Sequence, residues 1–407
     1  MPHFPESLMG RELIVIIQNP ADIVQGNRIS EYMNRRLLEI LGGKGGEGME
    51  RFVCRTEVVS GENALSALGQ LGCRRLLVVT EADPFRDGRI KRIGDEAGRP
   101  DMMCFENVDP EPTMCQAVEG SRAIKSFCPD LVAAIGGRNV LDCAKAMVCF
   151  SGQECRLAVI PTAFGIGSEV SDSVMLTHNN RRHTLQNERM RPQIALLDDE
   201  MTGELPSEGV AEAGFELLAL ALEVFASGRS SLGQFHAREA FCMTWGALPA
   251  AFAGSTPGRR RMQTASVLTG MAMNGSGTGL GSALISSLGI VFGLSRGKAA
   301  GIAMPAIMGC NAYAAGAQYA RLAGAAGLGG SRDEIGIRNL RTGLVRMRRE
   351  LGLPGTLVQA GIDIRSVWNS GRQIVEMTLE DPACRNNPVA VDDFLVRRIL
   401  EEITGRI

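Results

Sequence analysis

The chain of 407 residues has few residues of the types that mark common binding sites. It contains four histidines, two tryptophans and three tyrosines, and aromatic residues make up 5% of it. Its formal net charge of -2 lacks the excess of one sign that would attract nucleic acid or an anionic membrane. No run reaches the roughly 18 uninterrupted apolar residues that a membrane span needs. We therefore expect neither nucleic acid nor a membrane as a partner.

The 11 cysteines lack the spacings of a disulfide framework or a zinc site, because no C-x2-C pair is present. Cys143, Cys149 and Cys155 follow one another at intervals of six, which do not align on one helix face, so we interpret them as core thiols. The first residues, MPHFPESLMGRELIVII, do not have the pattern of a secretory signal. Buried thiols without a signal predict a cytoplasmic protein.

The composition divides the chain into an extension and two larger parts. Residues 51–205 alternate short apolar strands with helical segments, which is typical of βαβ units and a mainly parallel sheet. Residues 206–407 are rich in Ala, Leu and Gly at helical spacing, and we predict an all-helical domain there. The 45% hydrophobic content suffices for a large core in each. The close helix packing that small residues permit favours a homodimer or a larger homo-oligomer.

Residues 1–50 are predicted to be an N-terminal extension with one amphipathic helix. Ile29–Leu41 has apolar residues on one face, and Gly42–Gly48 then reads as a flexible linker. Two roles remain open for this helix. It packs on its own domain or on a second subunit, or it serves in targeting or in docking a partner.

Two glycine turns follow two consecutive apolar strands. Leu131–Ile135 is interrupted by Gly136 and Gly137, after which apolar residues return at helical spacing. Such a turn directs free backbone N–H groups and the positive end of a helix dipole at one point, where a phosphate binds well. The second turn lies within Ile160–Glu169. Together they predict a nucleotide crevice at the carboxyl edge of the sheet, although either turn is also explained as a tight connection.

Several ordered motifs resemble the group III, or iron-containing, metal-dependent alcohol dehydrogenases. Gly136–Lys145 is similar to their Gly-Gly-Gly-Ser-x-x-Asp-x-x-Lys turn, and Pro161–Glu169 to their Pro-Thr-Thr-x-Gly-Thr-Gly-Ser-Glu stretch. Pro192–Asp198 and Arg385–Pro388 also match. The resemblance implies a Rossmann-like parallel-sheet nucleotide domain followed by a helical domain, the dehydroquinate synthase-like fold of iron alcohol dehydrogenases.

The resemblance implies NAD as the cofactor. Glu81 stands where such proteins place an acidic residue for the adenosine ribose, which favours NAD over NADP. Arg138 replaces a family glycine, and it either pairs with a phosphate or fills the space that the phosphate needs. The other implied cofactor positions are Gly136, Gly137 and Asn139 at the pyrophosphate, Asp142 near the nicotinamide, Thr162, Gly167 and Ser168 in the second turn, and Arg182 at a lysine position.

The family's metal ligands are missing from the matching positions. Where the family has an Asp-x3-His pair and two further histidines, this chain has Glu216, Leu220, Ser282 and Arg296. Ser286 replaces a further histidine that is not a ligand, and His3, His178, His183 and His236 fall elsewhere. A lone carboxylate with such neighbours does not hold a divalent ion. We therefore expect no iron or zinc.

Hydride transfer to a carbonyl builds negative charge on its oxygen, which a cation must stabilise if no metal does. Arg296 and Lys298 are the candidates. Alternatively, Glu216 and Arg296 pair only with each other and fill the former metal cavity. His178 and His183, in a polar hairpin or loop near the cleft, are either proton relays or surface histidines.

Three functions are compatible with these residues. The first is an NAD(H)-linked alcohol dehydrogenase or aldehyde reductase that acts on a small alcohol, aldehyde or keto compound without a bound divalent metal. The alternative is a catalytically inactive homologue that serves as a nucleotide-binding or assembly subunit. A weaker third hypothesis is a lyase or other non-redox activity on the same scaffold.

Overall fold

The structure is a computed structural model that describes residues 52–82, 86–179 and 181–405. The extension at residues 1–50, with its predicted helix Ile29–Leu41, lies outside these ranges.

The first half of the described chain is a parallel sheet with helices between its strands, as the alternating pattern predicts. Its strands lie side by side in the order β1, β8, β5, β4, β2, β3, and every pair is parallel. They are β1 (Glu57–Gly61), β2 (Arg75–Val79), β3 (Asp101–Phe105), β4 (Leu131–Gly136), β5 (Arg156–Pro161) and β8 (Ile194–Asp198). The helices are α1 (Ala67–Gln70), α2 (Arg86–Glu96), α3 (Met114–Phe127), α4 (Arg138–Ser151) and α5 (Asp199–Gly203).

The two central strands place the glycine turns next to each other. β4 is buried along its whole length, as its apolar sequence LVAAIG requires. Its register with β5 runs to the pair Gly136 and Pro161, and the Thr162 N–H donates to the Gly136 carbonyl at 3.0 Å. Both turns therefore leave the sheet at the same carboxyl edge, as expected.

The alternating pattern predicts a helix over residues 61–72, and only the middle of this segment is helical. The segment forms a 3-10 turn at Ala64–Ser66 and the single turn of α1. The carboxylate of Asp198, at the end of β8, accepts the Leu65 N–H at 3.1 Å, and Asn63 has a left-handed backbone with φ of 60°. This tertiary contact and the positive φ replace the regular start of a helix.

An antiparallel hairpin stands beside the sheet. It consists of β6 (Ser173–His178) and β7 (Arg181–Gln186), and its register pairs Leu176 with His183. The prediction of a hairpin or loop around the two histidines is thus confirmed as a hairpin.

The second half consists of helices packed around α6. They are α6 (Ser207–Ser227), α7 (Ser231–Phe252), α8 (Thr256–Ser276), α9 (Leu280–Phe292), α10 (Arg296–Ala325), α11 (Asp333–Glu350), α12 (Ile364–Glu380) and α13 (Asp393–Thr404). α6 is buried on nearly all sides, as its apolar sequence predicts. The prediction that this half is helical is thus confirmed. Within the described ranges no helix is long and apolar enough to cross a bilayer.

Candidate active site

The first glycine turn brings together four of the predicted cofactor residues. Gly136 ends β4, and a Cβ there would lie 2.4 Å from Val140 Cγ2, so the turn requires glycine. The Gly137 N–H donates to Glu81 Oε1 at 3.2 Å, and the Asn139 amide donates to Glu81 Oε2 at 2.6 Å. Glu81 therefore accepts hydrogen bonds from Gly137 and Asn139, which the sequence predicts to bind the pyrophosphate. Glu81 and a phosphate compete for this N-terminus of α4.

The second turn packs tightly against the helical half. Ile166 and Gly167 have φ of 54° and 84°, and a Cβ on Gly167 would lie 2.7 Å from the Gly270 backbone nitrogen. The left-handed conformation and the close approach of α8 both require glycine at position 167. The Gly167 N–H donates to Ser266 Oγ at 3.2 Å, which ties the turn to α8.

Asp142 and Ser168 are bonded to each other rather than left free for a ligand. Ser168 Oγ donates to Asp142 Oδ1 at 2.5 Å, and the Met175 N–H donates to Asp142 Oδ2 at 3.0 Å. Lys145 is fully buried beneath them and donates to both oxygens of Ser168 at 3.1 Å. Burial lowers the pKa of Lys145 to about 8, against the raising effect of Asp142. This network links α4, the second turn and the hairpin.

A cluster of ion pairs includes two of the residues that match the family's metal-ligand positions. Glu216 is on α6, while Arg296 and Arg138 are the first residues of α10 and α4. Arg296 Nε donates to Glu216 Oε1 at 2.5 Å, and Arg138 Nη1 donates to the same oxygen at 3.1 Å. Arg296 Nη1 also donates to Ser286 Oγ at 2.9 Å. The predicted pairing of Glu216 with Arg296 is confirmed, and Arg138 extends it across both halves of the chain.

Glu216 is ionised in this cluster. Burial by itself would raise the pKa of Glu216, but the charges of Arg296 and Arg138 outweigh it and leave the pKa below its usual value. Burial lowers the pKa of Arg296, whereas the carboxylates of Glu216 and Glu111 hold it above its usual value. Both partners therefore carry full charge at neutral pH.

Arg182, which was assigned to the cofactor by resemblance, joins this cluster from β7. Its Nε donates to Glu111 Oε2 at 3.0 Å, and its Nη2 is ion-paired with Glu111 Oε1. Burial lowers the pKa of Arg182, and so do the like charges of Arg296 and Arg138, while Glu111 raises it.

Lys298 does not join the cluster, in contrast to the expectation that it shares the role of Arg296. Its Nζ lies 2.8 Å from Glu208 Oε1 and 3.2 Å from Glu212 Oε1, and its side chain is about one-third exposed. Two residues further along a helix than Arg296, it faces another direction.

The residues present do not fit an iron or zinc ion. Glu216 Oε1 already accepts from two guanidinium groups, and Leu220 is buried in the apolar core. Ser282 Oγ donates to Glu223 Oε2 at 2.6 Å. In the part of the chain that the structure describes, no three His, Cys, Asp or Glu residues are grouped as metal ligands.

The described histidines lie outside this cluster. The rings of His178 and His183 face each other on the hairpin with centroids 6.3 Å apart, and the pKa of His183 is lowered by burial and by His178. His236 lies on α7, where its Nδ1 is 2.7 Å from the Leu232 carbonyl oxygen.

Two carboxylates near the cluster were missed in the sequence. Glu111 precedes α3 and pairs with Arg182. Glu223 lies on the buried face of α6 and accepts the Ser282 N–H at 3.1 Å, at the start of α9. Its spacing of seven from Glu216 places both on one face of α6, which is the only signal the sequence offers for it.

Two family models match this chain. The model described as "Iron-containing alcohol dehydrogenase" matches residues 55–199, and the model of the C-terminal part of the Fe-containing alcohol dehydrogenase family matches residues 210–404. The chain belongs to the iron-containing alcohol dehydrogenase family.

Relatives in this family are alcohol dehydrogenases by name. The 1-propanol dehydrogenase PduQ of Citrobacter freundii is 28% identical over 370 residues, which cover 87% of this chain and 100% of the relative. The NADPH-dependent butanol dehydrogenase of Clostridium saccharobutylicum is 24% identical over 379 residues, which cover 87% of this chain and 97% of the relative.

Solved structures of the family share the fold. The iron-containing alcohol dehydrogenase of Thermococcus thioreducens superposes with a TM-score of 0.80 at 22% identity, over 88% of this chain and 100% of that one. The sulfoacetaldehyde reductase of Bifidobacterium kashiwanohense, solved in complex with NAD+, superposes with a TM-score of 0.78 at 20% identity, over 88% of this chain and 99% of that one. These similarities confirm the expected fold, and the chain is an alcohol dehydrogenase-like oxidoreductase.

Proposed function

We propose that this family member is an NAD(H)-linked alcohol dehydrogenase or aldehyde reductase that acts without a bound divalent metal. The observation that carries the proposal is the buried pair of Arg296 and Glu216, with Arg138 on the same carboxylate oxygen. It stands at positions where the family resemblance places metal ligands. A fixed cation is thus available at the point where a metal would polarise the substrate.

Arg296 is the residue assigned to the reacting oxygen. Negative charge develops on the carbonyl oxygen during reduction, and a guanidinium fixed by Glu216 and Ser286 stabilises it without reorganising. Because the pKa of Arg296 is held above its usual value, it does not give up a proton. The proton that completes the alcohol must come from another group or from water. Lys298 stays a weaker candidate because it is paired with Glu208 and Glu212.

We assign NAD as the cofactor because of the residues at the carboxyl edge of β4. When bound, it supplies or accepts the hydride. Gly136, Gly137 and Asn139 would hold its pyrophosphate at the start of α4, and Glu81 would bind the ribose hydroxyls. This role requires Glu81 to release the Gly137 N–H that it now accepts. Asp142, Thr162, Gly167 and Ser168 lie in or beside the two turns and would border the bound nucleotide. The solved relative with NAD+ supports this cofactor class.

A second candidate function is a catalytically inactive homologue that serves as a nucleotide-binding or assembly subunit. The position of Glu81 favours it, because a carboxylate already occupies the donors of the phosphate turn. The arginines of the cluster would then have a structural role only.

A homodimer or larger assembly in the cytoplasm remains part of the proposal. Tyr313 on α10 is fully exposed, and Phe394 on α13 is 74% exposed, as expected of residues that another subunit covers. Light scattering of the full chain after size exclusion gives the oligomer directly.

A titration with NADH tests the proposed function first. The purified, metal-analysed protein is titrated with NADH and, separately, with NADPH, while nicotinamide fluorescence is recorded. Saturable binding of NADH supports the proposal, and an aldehyde screen without added metal then follows. If neither nucleotide binds, the dehydrogenase function is rejected, and the assembly subunit is the candidate function that is left.

A further inference from the structure

Three arginines from three separate elements meet at the cluster. Arg138 begins α4, Arg182 lies on β7 and Arg296 begins α10. Arg138 and Arg296 share Glu216 Oε1, at 3.1 and 2.5 Å. Arg182 Nη2 would lie 3.6 Å from a Cβ on Gly289, which is on α9 one turn from the Ser286 that Arg296 contacts. We call these three residues the arginine triad.

Each arginine of the triad has one buried nitrogen without a hydrogen-bond partner among the described residues. These atoms are Arg138 Nε, Arg182 Nη1 and Arg296 Nη2. The side chains are 22%, 9% and 13% exposed, so bulk water reaches them poorly. Buried charged donors without an acceptor are costly and uncommon in native proteins. Three in one cluster indicate that an acceptor normally binds there.

The carboxylates around the triad do not balance all of its positive charge. Glu216 and Glu111 neutralise two of the three guanidinium groups. Asp142, 3.5 Å from Arg138 Nε, is already bonded to Ser168 and lies 3.7 Å from the Lys145 ammonium. Among these groups alone, the four cations outnumber the three carboxylates by one.

Two further carboxyl groups lie near Arg296, and each accepts hydrogen bonds from the backbone. Glu223 accepts backbone N–H groups at the start of α9, and Asp381 accepts the Ala383 N–H. Burial raises the pKa of both Glu223 and Asp381.

We propose that the arginine triad binds a carboxylate of the substrate, which makes the substrate a short 2-oxo acid or 2-hydroxy acid. A carboxylate offers two acceptor oxygens in a plane, the geometry that guanidinium N–H groups match best. In the proposed function, Arg296 also faces the reacting oxygen. One cluster serves both groups when the carboxylate and the carbonyl are on neighbouring carbons. Only this neighbouring placement rests on the proposed function, whereas anion binding by the triad does not.

Oxamate and oxamide provide a matched pair of probes. They have the same size and planarity, but only oxamate carries a carboxylate beside its carbonyl. Isothermal titration of the full-length protein with each probe, with and without saturating NADH, measures the preference. We expect oxamate to bind at least about tenfold more tightly than oxamide, because hydrogen bonds to charged groups contribute most of its binding. Equal binding of the two probes, or binding of neither, overturns the inference.

Two variants with opposite charge changes then locate the site. R182Q removes one positive charge and should weaken oxamate binding about tenfold or more. E111Q removes the partly exposed carboxylate beside Arg182 and should tighten oxamate binding about two- to fivefold. R238Q, on α7 beside Glu239, is the control for loss of an arginine elsewhere and should leave oxamate binding unchanged. A merely structural role for the triad does not predict opposite effects of R182Q and E111Q.

The outcomes separate this inference from the proposed function. If neither R182Q nor E111Q changes the affinity for oxamate, the inference is wrong, even if NADH binds normally. Weaker NADH binding in R182Q with unchanged oxamate binding also overturns it, because the triad would then serve a nucleotide phosphate. Oxamate binding that follows the two variants in a protein that binds no NADH supports the inference and rejects the dehydrogenase. If R182Q fails to fold, E111Q alone decides.

Discussion

Arg296 and Glu216 form a buried ion pair in which Arg296 Nε lies 2.5 Å from Glu216 Oε1. The two residues are on α10 and α6, and Arg138 of the nucleotide-binding half reaches the same oxygen. In the proposed function this pair takes the place of a metal ion, and it also joins the two halves of the chain. These two consequences can be separated by experiment.

Replacing Arg296 by Ala should destabilise the fold. Glu216 would keep only Arg138 as a partner in a buried position, and breaking a buried pair costs about 3 kcal/mol or more. Urea unfolding of R296A against the parent measures this loss. The double variant E216Q/R296Q should recover part of it, because no unpaired carboxylate is left behind. A double variant that is less stable than R296A would contradict the account.

If Arg296 is also catalytic, R296K should retain much of the stability while losing turnover. A lysine keeps the charge but cannot donate to Glu216, Ser286 and a substrate in the same planar arrangement. Melting temperature and steady-state rates, measured on the same preparation, separate the two roles. A variant with normal melting and a normal rate would show that Arg296 does not face the reacting oxygen.

Lys145 should make stability rise with pH in the alkaline range. Its pKa is about 8 in the folded chain and about 10.4 in an unfolded one, so between these values the unfolded state binds more protons. By linkage, its contribution to the free energy of unfolding increases with pH through this window, by at most about 1.4 kcal/mol per pH unit. K145M removes the titrating group. The stability difference between parent and K145M should therefore grow in favour of the parent from pH 8 to 10, and a flat difference would contradict the burial of a titrating amine.

Replacing Glu81 by Gln should change the choice between the two nicotinamide nucleotides. The carboxylate now accepts from Gly137 and Asn139, and in the proposed complex it would repel a 2′-phosphate. E81Q should improve NADPH affinity relative to NADH by about tenfold or more. D101N is a suitable control, because Asp101 begins β3 and lies at the opposite edge of the sheet. An unchanged ratio would place Glu81 away from the ribose.

Histidines introduced at the positions that the family resemblance implies as metal ligands should create a metal site. The variant L220H/S282H/R296H gives Glu216 the three imidazoles that the family resemblance implies, and such a set suits zinc. We expect one zinc ion per chain by metal analysis after dialysis, against none for the L220H control. Failure of the folded triple variant to bind zinc would mean that these positions do not converge.

The sheet and its two glycine turns follow from local sequence patterns. The apolar run Leu131–Ile135, the break at Gly136 and the helical spacing after it act within a few residues of one another, so periodicity predicts them. The interruption of the expected helix over residues 61–72 could not be predicted in this way. It depends on the Asp198 carboxylate, which meets the Leu65 N–H from 133 residues away.

The pairing of Glu216 with Arg296 could be predicted from the sequence, whereas the other contacts of the candidate site could not. The resemblance indicated Glu216, Arg296, Arg138 and Glu81 as site residues. Side-chain pairs distant in sequence, such as Arg138 with Glu216 and Arg182 with Glu111, have no periodic signal. For this reason Arg182 was assigned to the cofactor, whereas the structure places it in the arginine cluster.

The most direct measurement is the rate of NADH oxidation by protein whose metal content is known. Full-length protein, stripped with a chelator and analysed for iron and zinc, is mixed with NADH and either propanal or glyoxylate. The account predicts turnover that the chelator does not lower and added Fe²⁺ or Zn²⁺ does not raise, with glyoxylate preferred over propanal. Turnover that appears only after Fe²⁺ or Zn²⁺ is added would contradict it.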